Sequence, residues 1–192
     1  AGSLRGGLDW ASASVRRMLD CGVHTSTFGG AVHEALSPLY EIFKLNSRLL
    51  LNCLDGMDED QARWRPSPHA NSAAFVAAHL VGSRQYLGTL MGLALPSPFG
   101  GRLDAAKSIE ETKDLPTLDE IRAEWKSVTG NLRERFKQLT AEDLAKPYTG
   151  QFPIADRTTL GVIAFLLQHD SYHIGQLGLL RKQAGLEAMR YT

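Results

Sequence analysis

The residues best suited to chemistry in this 192-residue chain are His169 and His173, which lie four positions apart in the run LLQHDSYHIGQLGLL from Leu166 to Leu180. On a helix that spacing is about one turn, so both imidazoles leave the same face and can address one object. A single metal ion is the natural object for such a pair. At about 100° per residue, the stripe that carries both also carries Val162, Phe165, Leu166, Gln176, Leu177 and Leu180. The pattern therefore predicts histidines on a buried face, where each ring nitrogen needs a hydrogen bond or a metal. Taken alone, the pair reads equally well as two core histidines bonded to carbonyls or to neighbouring side chains.

These side chains need a frame. The composition, 43% apolar and 22% charged, describes one soluble globular domain with enough chain for a sizeable core. The 21 basic residues balance 21 acidic ones, which removes the electrostatic footprint that nucleic acid or an anionic membrane would call for. There is no apolar run of roughly 18 residues to cross a bilayer and no signal-peptide block, so the expectation is a cytoplasmic protein. Cys21 and Cys53 form no CxxC or knuckle spacing, and a chain of this length needs no disulfide staple. Residues 1–30, rich in Gly and Ser, are set apart as a flexible or atypical N-terminal extension with at most a short helix at Trp10 to Leu19, leaving 31–192 as the domain.

Helical periodicity picks out four long amphipathic segments. The first runs from about Val32 to Cys53, and after Asp55-Gly56-Met57 the stretch QARWRPSPHANS reads as loop. The second runs from about Ser72 to Leu93, capped by Asn71 or Ser72, with Ser72, Phe75, Val76, His79, Gly82, Ser83, Tyr86, Leu90 and Leu93 on one stripe. Leu95 to Pro116, with three prolines and a Gly-Gly pair, is a long connection that can cross the whole bundle. Thr117, followed by acid, caps a third helix through Ile121, Trp125, Val128, Leu132 and Phe136 to about Leu139. After a linker with room for a small hairpin around Tyr148 to Ile154, the fourth helix starts at Thr158 or Thr159 and ends near Ala184-Gly185. The class is all-α, a bundle of four helices.

His79 sits in the middle of the second stripe, among Ala77, Ala78 and Gly82, which are small enough for another helix to come close. Alone it reads as a core histidine. With His169 and His173 it makes three imidazoles projecting from facing helices, which is how bundles build metal sites. Such a set suits a divalent metal, zinc or nickel as well as iron or copper, and leaves a position open for water or substrate. A dication without charged ligands acidifies a bound water, the nucleophile of a hydrolase, or deprotonates a thiol, the nucleophile of a transferase. Gln176 reads either as a group that orients a ligand, a bound water or substrate, or as a polar group bonded to another helix. Asp170, at the edge of the stripe, reads as a surface carboxylate or as an acceptor for an imidazole N–H. Tyr86 reads as a core tyrosine or a pocket wall, Gly175 and Gly178 as permitting close packing, and His24, His33 and His69 have no assigned role. Catalytic residues beyond the ligand set are not identified, and substrate choice is expected from loops such as Pro66 to Ala70 and Leu95 to Arg102.

NSAAFVAAHL around His79, RTTLGVIAFLLQHDSYHIGQLGLLR around His169 and His173, and LTAEDL before the last linker resemble the DinB/YfiT-like family of metalloenzymes. The likeness runs from about Val32 to Gly185, with RWRPSPHANS similar to the family's loop before its second helix and HDSYHIGQ as the specific piece. It implies up-down-down-up connectivity, with the long link between the second and third helices, and a divalent metal held by His79, His169 and His173. It also implies a homodimer. Family members with an assigned reaction include S-transferases using a low-molecular-weight thiol, a mycothiol-dependent maleylpyruvate isomerase and a metal-dependent hydrolase. The expectation drawn from it is a thiol-dependent S-transferase acting on a small molecule. The alternatives are a hydrolase using a metal-activated water and a non-catalytic stress-response or binding module.

Overall fold

In the computed structural model, which describes residues 31–103, 108–112 and 114–191, every α-helix after the first begins where a side chain supplies the acceptor that its first turn lacks. A single 3₁₀ turn, Glu34–Leu36, leads into α1 (Ser37–Leu54), and the short α2 spans Glu59–Arg63. Ser72 Oγ accepts from Phe75 N–H at 3.2 Å to start α3 (Ala73–Leu90). A reciprocal box between Thr117 and Glu120 opens α4 (Leu118–Gln138), and one between Thr140 and Asp143 opens the short α5 (Ala141–Ala145). Thr158 caps α6 (Thr159–Gln183). Left-handed glycines follow three of the ends, Gly56 at φ 66°, Gly92 at φ 85° and Gly185 at φ 84°. No helix among the described residues is long and apolar enough to cross a membrane.

Two local expectations change. Part of the stretch expected as loop is α2, because Asp58 accepts from Gln61 N–H at 2.7 Å while Gln61 Oε1 accepts from Asp58 N–H at 3.1 Å, a capping box that the prolines further on mask in the sequence. The hairpin around Tyr148 is reduced to one antiparallel bridge, Pro147 with Thr158, which ties the linker to the head of α6. The extension at 1–30, with the short helix expected at Trp10 to Leu19, lies outside the described residues.

Contacts between the long helices fix their directions. On α1 and α6 Asn46 meets Leu167 and Ser171, and Cys53 meets Ile174, so the numbers rise together and the two run parallel. Arg84 meets Thr129, and the Met91 carbonyl meets Arg135, so α3 and α4 are parallel as well. His79 meets His173 and Ser83 meets His169, so the numbers run against each other and α3 and α6 are antiparallel. The result is an up-down-down-up four-helix bundle.

The core divides into two apolar clusters. One gathers Leu50, Leu54, Val81, Ile121, Ile174 and Leu177, and the other Phe43, Leu87, Leu132, Phe136, Ile163 and Leu167. Between them lies a polar layer around Arg84, which is 1% exposed. Its Nε donates to Asp170 Oδ2 at 2.9 Å, and Nη1 donates to Ser47 Oγ at 2.9 Å and to Thr129 Oγ1 at 2.6 Å. The guanidinium carbon lies 3.6 Å from the centre of the Trp125 ring and 4.6 Å from that of Phe43. One arginine thus touches all four long helices. Burial pushes the Asp170 carboxyl above the ordinary aspartate range, while the charge and hydrogen bond of Arg84 pull it back down.

This layer reverses the expected facing of two helices. The deepest row of α6 is Ile163, Leu167, Asp170, Ile174, Leu177 and Arg181, whereas Phe165, His169, His173 and Gln176 are half-buried. On α3 the deep side carries Ala74, Ala77, Leu80, Val81, Arg84 and Leu87, while Phe75, His79, Gly82, Ser83, Tyr86 and Leu90 line the rim. Both helices are packed on two sides and are apolar around most of their circumference, so their stripes have no sharp centre in sequence. Asp170, at 1% exposure, is no surface carboxylate.

Removing one member of a buried pair strands the other, at a cost of about 3–5 kcal/mol, whereas an apolar replacement of both is close to neutral. Urea titration should therefore show Asp170→Ala less stable by about that amount. The double variant Arg84→Met with Asp170→Leu should recover most of the loss.

Candidate metal centre

α3 contributes His79, and α6 contributes His169 and His173 one turn apart. The three Nε2 atoms converge, with His169 Nε2 at 3.2 Å from that of His79 and 3.0 Å from that of His173. One ligand atom from each lies within 4.8 Å of the others. The far side of two rings is held from outside. His173 Nδ1 lies 2.6 Å from Gln176 Oε1, and His169 Nδ1 lies 3.3 Å from Ser83 Oγ. An amide oxygen only accepts, so His173 carries its proton on Nδ1 and turns a lone pair inward on Nε2. Ser83 can accept from His169 in the same way.

Burial and mutual proximity keep these rings neutral. Burial first, and then the neighbouring His173, lower His79 from 6.5 to about 4. Burial, with His173 and His79 beside it, lowers His169 to about 3. His173 is also lowered by burial, against the opposing hydrogen bond it donates to Gln176. Three inward lone pairs at this separation repel one another unless a cation lies between them. Nitrogens bound tetrahedrally to zinc at about 2.0–2.1 Å stand roughly 3.3 Å apart, so the donor set fits a divalent ion. His79, His169 and His173 are the residues that would hold it.

The remaining candidates fall into place around them. Gln176 binds a histidine on its own helix rather than another helix, and its Nε2 donates to the Tyr172 hydroxyl at 3.2 Å. Asp170 accepts from Arg84, not from an imidazole. The Tyr86 hydroxyl lies 2.7 Å from that of Tyr148, and burial with this contact holds its pKa above the ordinary tyrosine value. Tyr86 also lines a cavity of about 510 Å³ whose wall includes His79, His169 and residues 95–99. Of the two loops expected to shape the substrate site, Leu95 to Arg102 contributes to this wall and Pro66 to Ala70 does not. Gly175 is exposed with open space beside it, so no close packing demands it.

Cys53 is buried, with Sγ 3.2 Å from Met189 Sδ, and burial pushes its thiol up to about 11. It serves as core. Sequence reasoning missed Ser83 and Tyr172 as partners of the site. Their only signal was helical spacing, Ser83 four residues beyond His79 and Tyr172 four residues before Gln176.

A family model described as the DinB superfamily matches residues 42–177. Among solved structures, the chain is similar to a DinB-like protein from Bacillus cereus, at 18% sequence identity and a TM-score of 0.59, over 81% of this chain and 94% of that one. At that identity the likeness speaks for the fold. No protein of curated function matches the chain in sequence.

The lowered histidines set an acid limit on the metal-free protein. Between 6.5 and about 4 for His79, or about 3 for His169, the unfolded chain takes up protons that the folded chain refuses. Stability should therefore fall as pH drops below about 6.5 and be insensitive to these groups above it. Urea titrations at several pH values should show that acid slope reduced in His79→Leu.

Proposed function

The chain belongs to the DinB superfamily, and from that membership together with the converging imidazoles we propose a divalent-metal-dependent enzyme, zinc- or nickel-loaded, that joins a low-molecular-weight thiol to a small organic electrophile. The observation that carries the reading is three neutral imidazole nitrogens within 4.8 Å of one another and beside a cavity. A dication bound there supplies Lewis acidity, which favours a thiolate over a thiol. Gln176 and Ser83 hold the two α6 rings in the tautomer that faces inward, and the half-buried walls limit water. The described residues contribute no reactive thiol, since Cys53 is sealed in the core, and in this reading the sulfur comes from a co-substrate. In the transfer an S–C bond forms, the leaving group departs with its electron pair, and the thiol proton passes to solvent.

Thiol transfer is favoured over hydrolysis because the described cavity wall holds no Asp or Glu to act as a base toward water. A thiolate needs none. A homodimer in the cytoplasm belongs to the same proposal.

Zinc or nickel should raise the melting temperature of the parent protein, in keeping with about 2.7 kcal/mol at a hundred times the dissociation constant, and should leave His169→Ala unmoved. Gln176→Leu, which releases His173 Nδ1, should weaken metal binding about 10–100-fold in a competition titration. Turnover of a panel of electrophiles by the metal-loaded protein should require bacillithiol, mycothiol or glutathione and vanish in His169→Ala. Turnover of the same panel without any thiol would instead assign a hydrolase.

A further inference from the structure

The cavity beside the histidines has features that holding a metal does not explain. At about 510 Å³ it falls within the range that encloses a small organic molecule, and none of the described side chains lining it belongs to Asp, Glu, Lys or Arg. An ion moved between such walls loses its hydration with no oppositely charged side chain on the described wall to replace it. Three wall residues carry the argument further.

Gly82 lies within α3, three residues beyond His79, where glycine costs helix stability relative to alanine. A Cβ built there meets nothing within 4 Å, so no neighbouring atom requires a glycine. What its missing side chain leaves is cavity floor. Phe99 holds φ at 55°, a left-handed backbone that bulky residues rarely adopt, while its ring, 7% exposed, joins the wall. Gln85, 8% exposed, also belongs to the wall, and its side-chain carbonyl oxygen is buried with no hydrogen-bond partner among the described residues. A hydroxyl or N–H on a ligand is the kind of group that satisfies such an acceptor.

We infer that this cavity binds the organic co-substrate of the histidine centre, and that the co-substrate is an uncharged, mostly apolar molecule rather than a carboxylate or a phosphate ester. The inference rests on the proposed function for the word co-substrate, whereas the binding itself needs no metal.

The test uses the metal-free full chain, so that a carboxylate finds no ion to bind. Cinnamyl alcohol and cinnamate, alike in body and different in charge, are titrated by calorimetry into the parent protein and into Gly82→Leu. The alcohol is expected to bind at least about ten-fold more tightly than the carboxylate. Gly82→Leu should weaken the alcohol at least about ten-fold, since it fills the floor, while melting no lower than the parent because it replaces a helix glycine. Phe99→Gly gives a second route, as it relieves the left-handed turn and removes the aromatic wall, and it should also weaken the alcohol. Equal affinity for the two compounds, binding of neither, or undiminished affinity in both variants would overturn the inference. Zinc titration of the same samples separates the two readings, since a failure to bind zinc beside intact binding of the alcohol overturns the metal proposal alone.

Discussion

The pairing of Arg84 with Asp170 is the contact on which the arrangement of this bundle turns. It lies between two apolar clusters and reaches α1 through Ser47, α4 through Thr129 and α6 through Asp170. Buried pairs of this kind add little net energy, because desolvation offsets most of the attraction. Their contribution is better sought in register. His169 precedes Asp170 directly, and His79 lies five residues before Arg84. A slip of one residue along α6 shifts the helix by about 1.5 Å and turns it by about 100°, which would carry His169 away from His79. We read the pair as the pin that keeps the imidazoles opposed.

With that register set, the chemistry follows from burial. Apolar packing on both sides of the polar layer half-covers the histidine rings, and this keeps them neutral and inward-facing. The same packing seals Cys53 and leaves the described cavity wall without charge. The site therefore combines neutral donors for a cation with an apolar chamber beside them. Among the described residues no cysteine lines that chamber.

Much of this was legible in the chain before any coordinates. The starts of three of the four long helices, at Ser72, Thr117 and Thr158, were marked by residues whose capping role is local, and the three ligand candidates followed from helical spacing on apolar segments. What the periodicity misjudged was facing. Residues 73–90 and 159–183 are rich in small and apolar side chains on every side, so the wheel placed the histidine rows at the centre of the core, and they belong at its rim. For the same reason Asp170 read as surface and Arg84 drew no attention. A charge deep in a bundle is recognisable only through its partner on another helix, and that partner is 86 residues away in the chain. The cavity depends in turn on the left-handed turn at Phe99, which no local pattern announces.

The central claim is that three imidazoles bind one divalent ion. X-ray absorption spectroscopy of the zinc-loaded chain tests it most directly. The account predicts one ion per chain, three imidazole nitrogens bound to it and no sulfur. A spectrum with a sulfur ligand, with oxygen ligands alone, or unchanged in His169→Ala would contradict it.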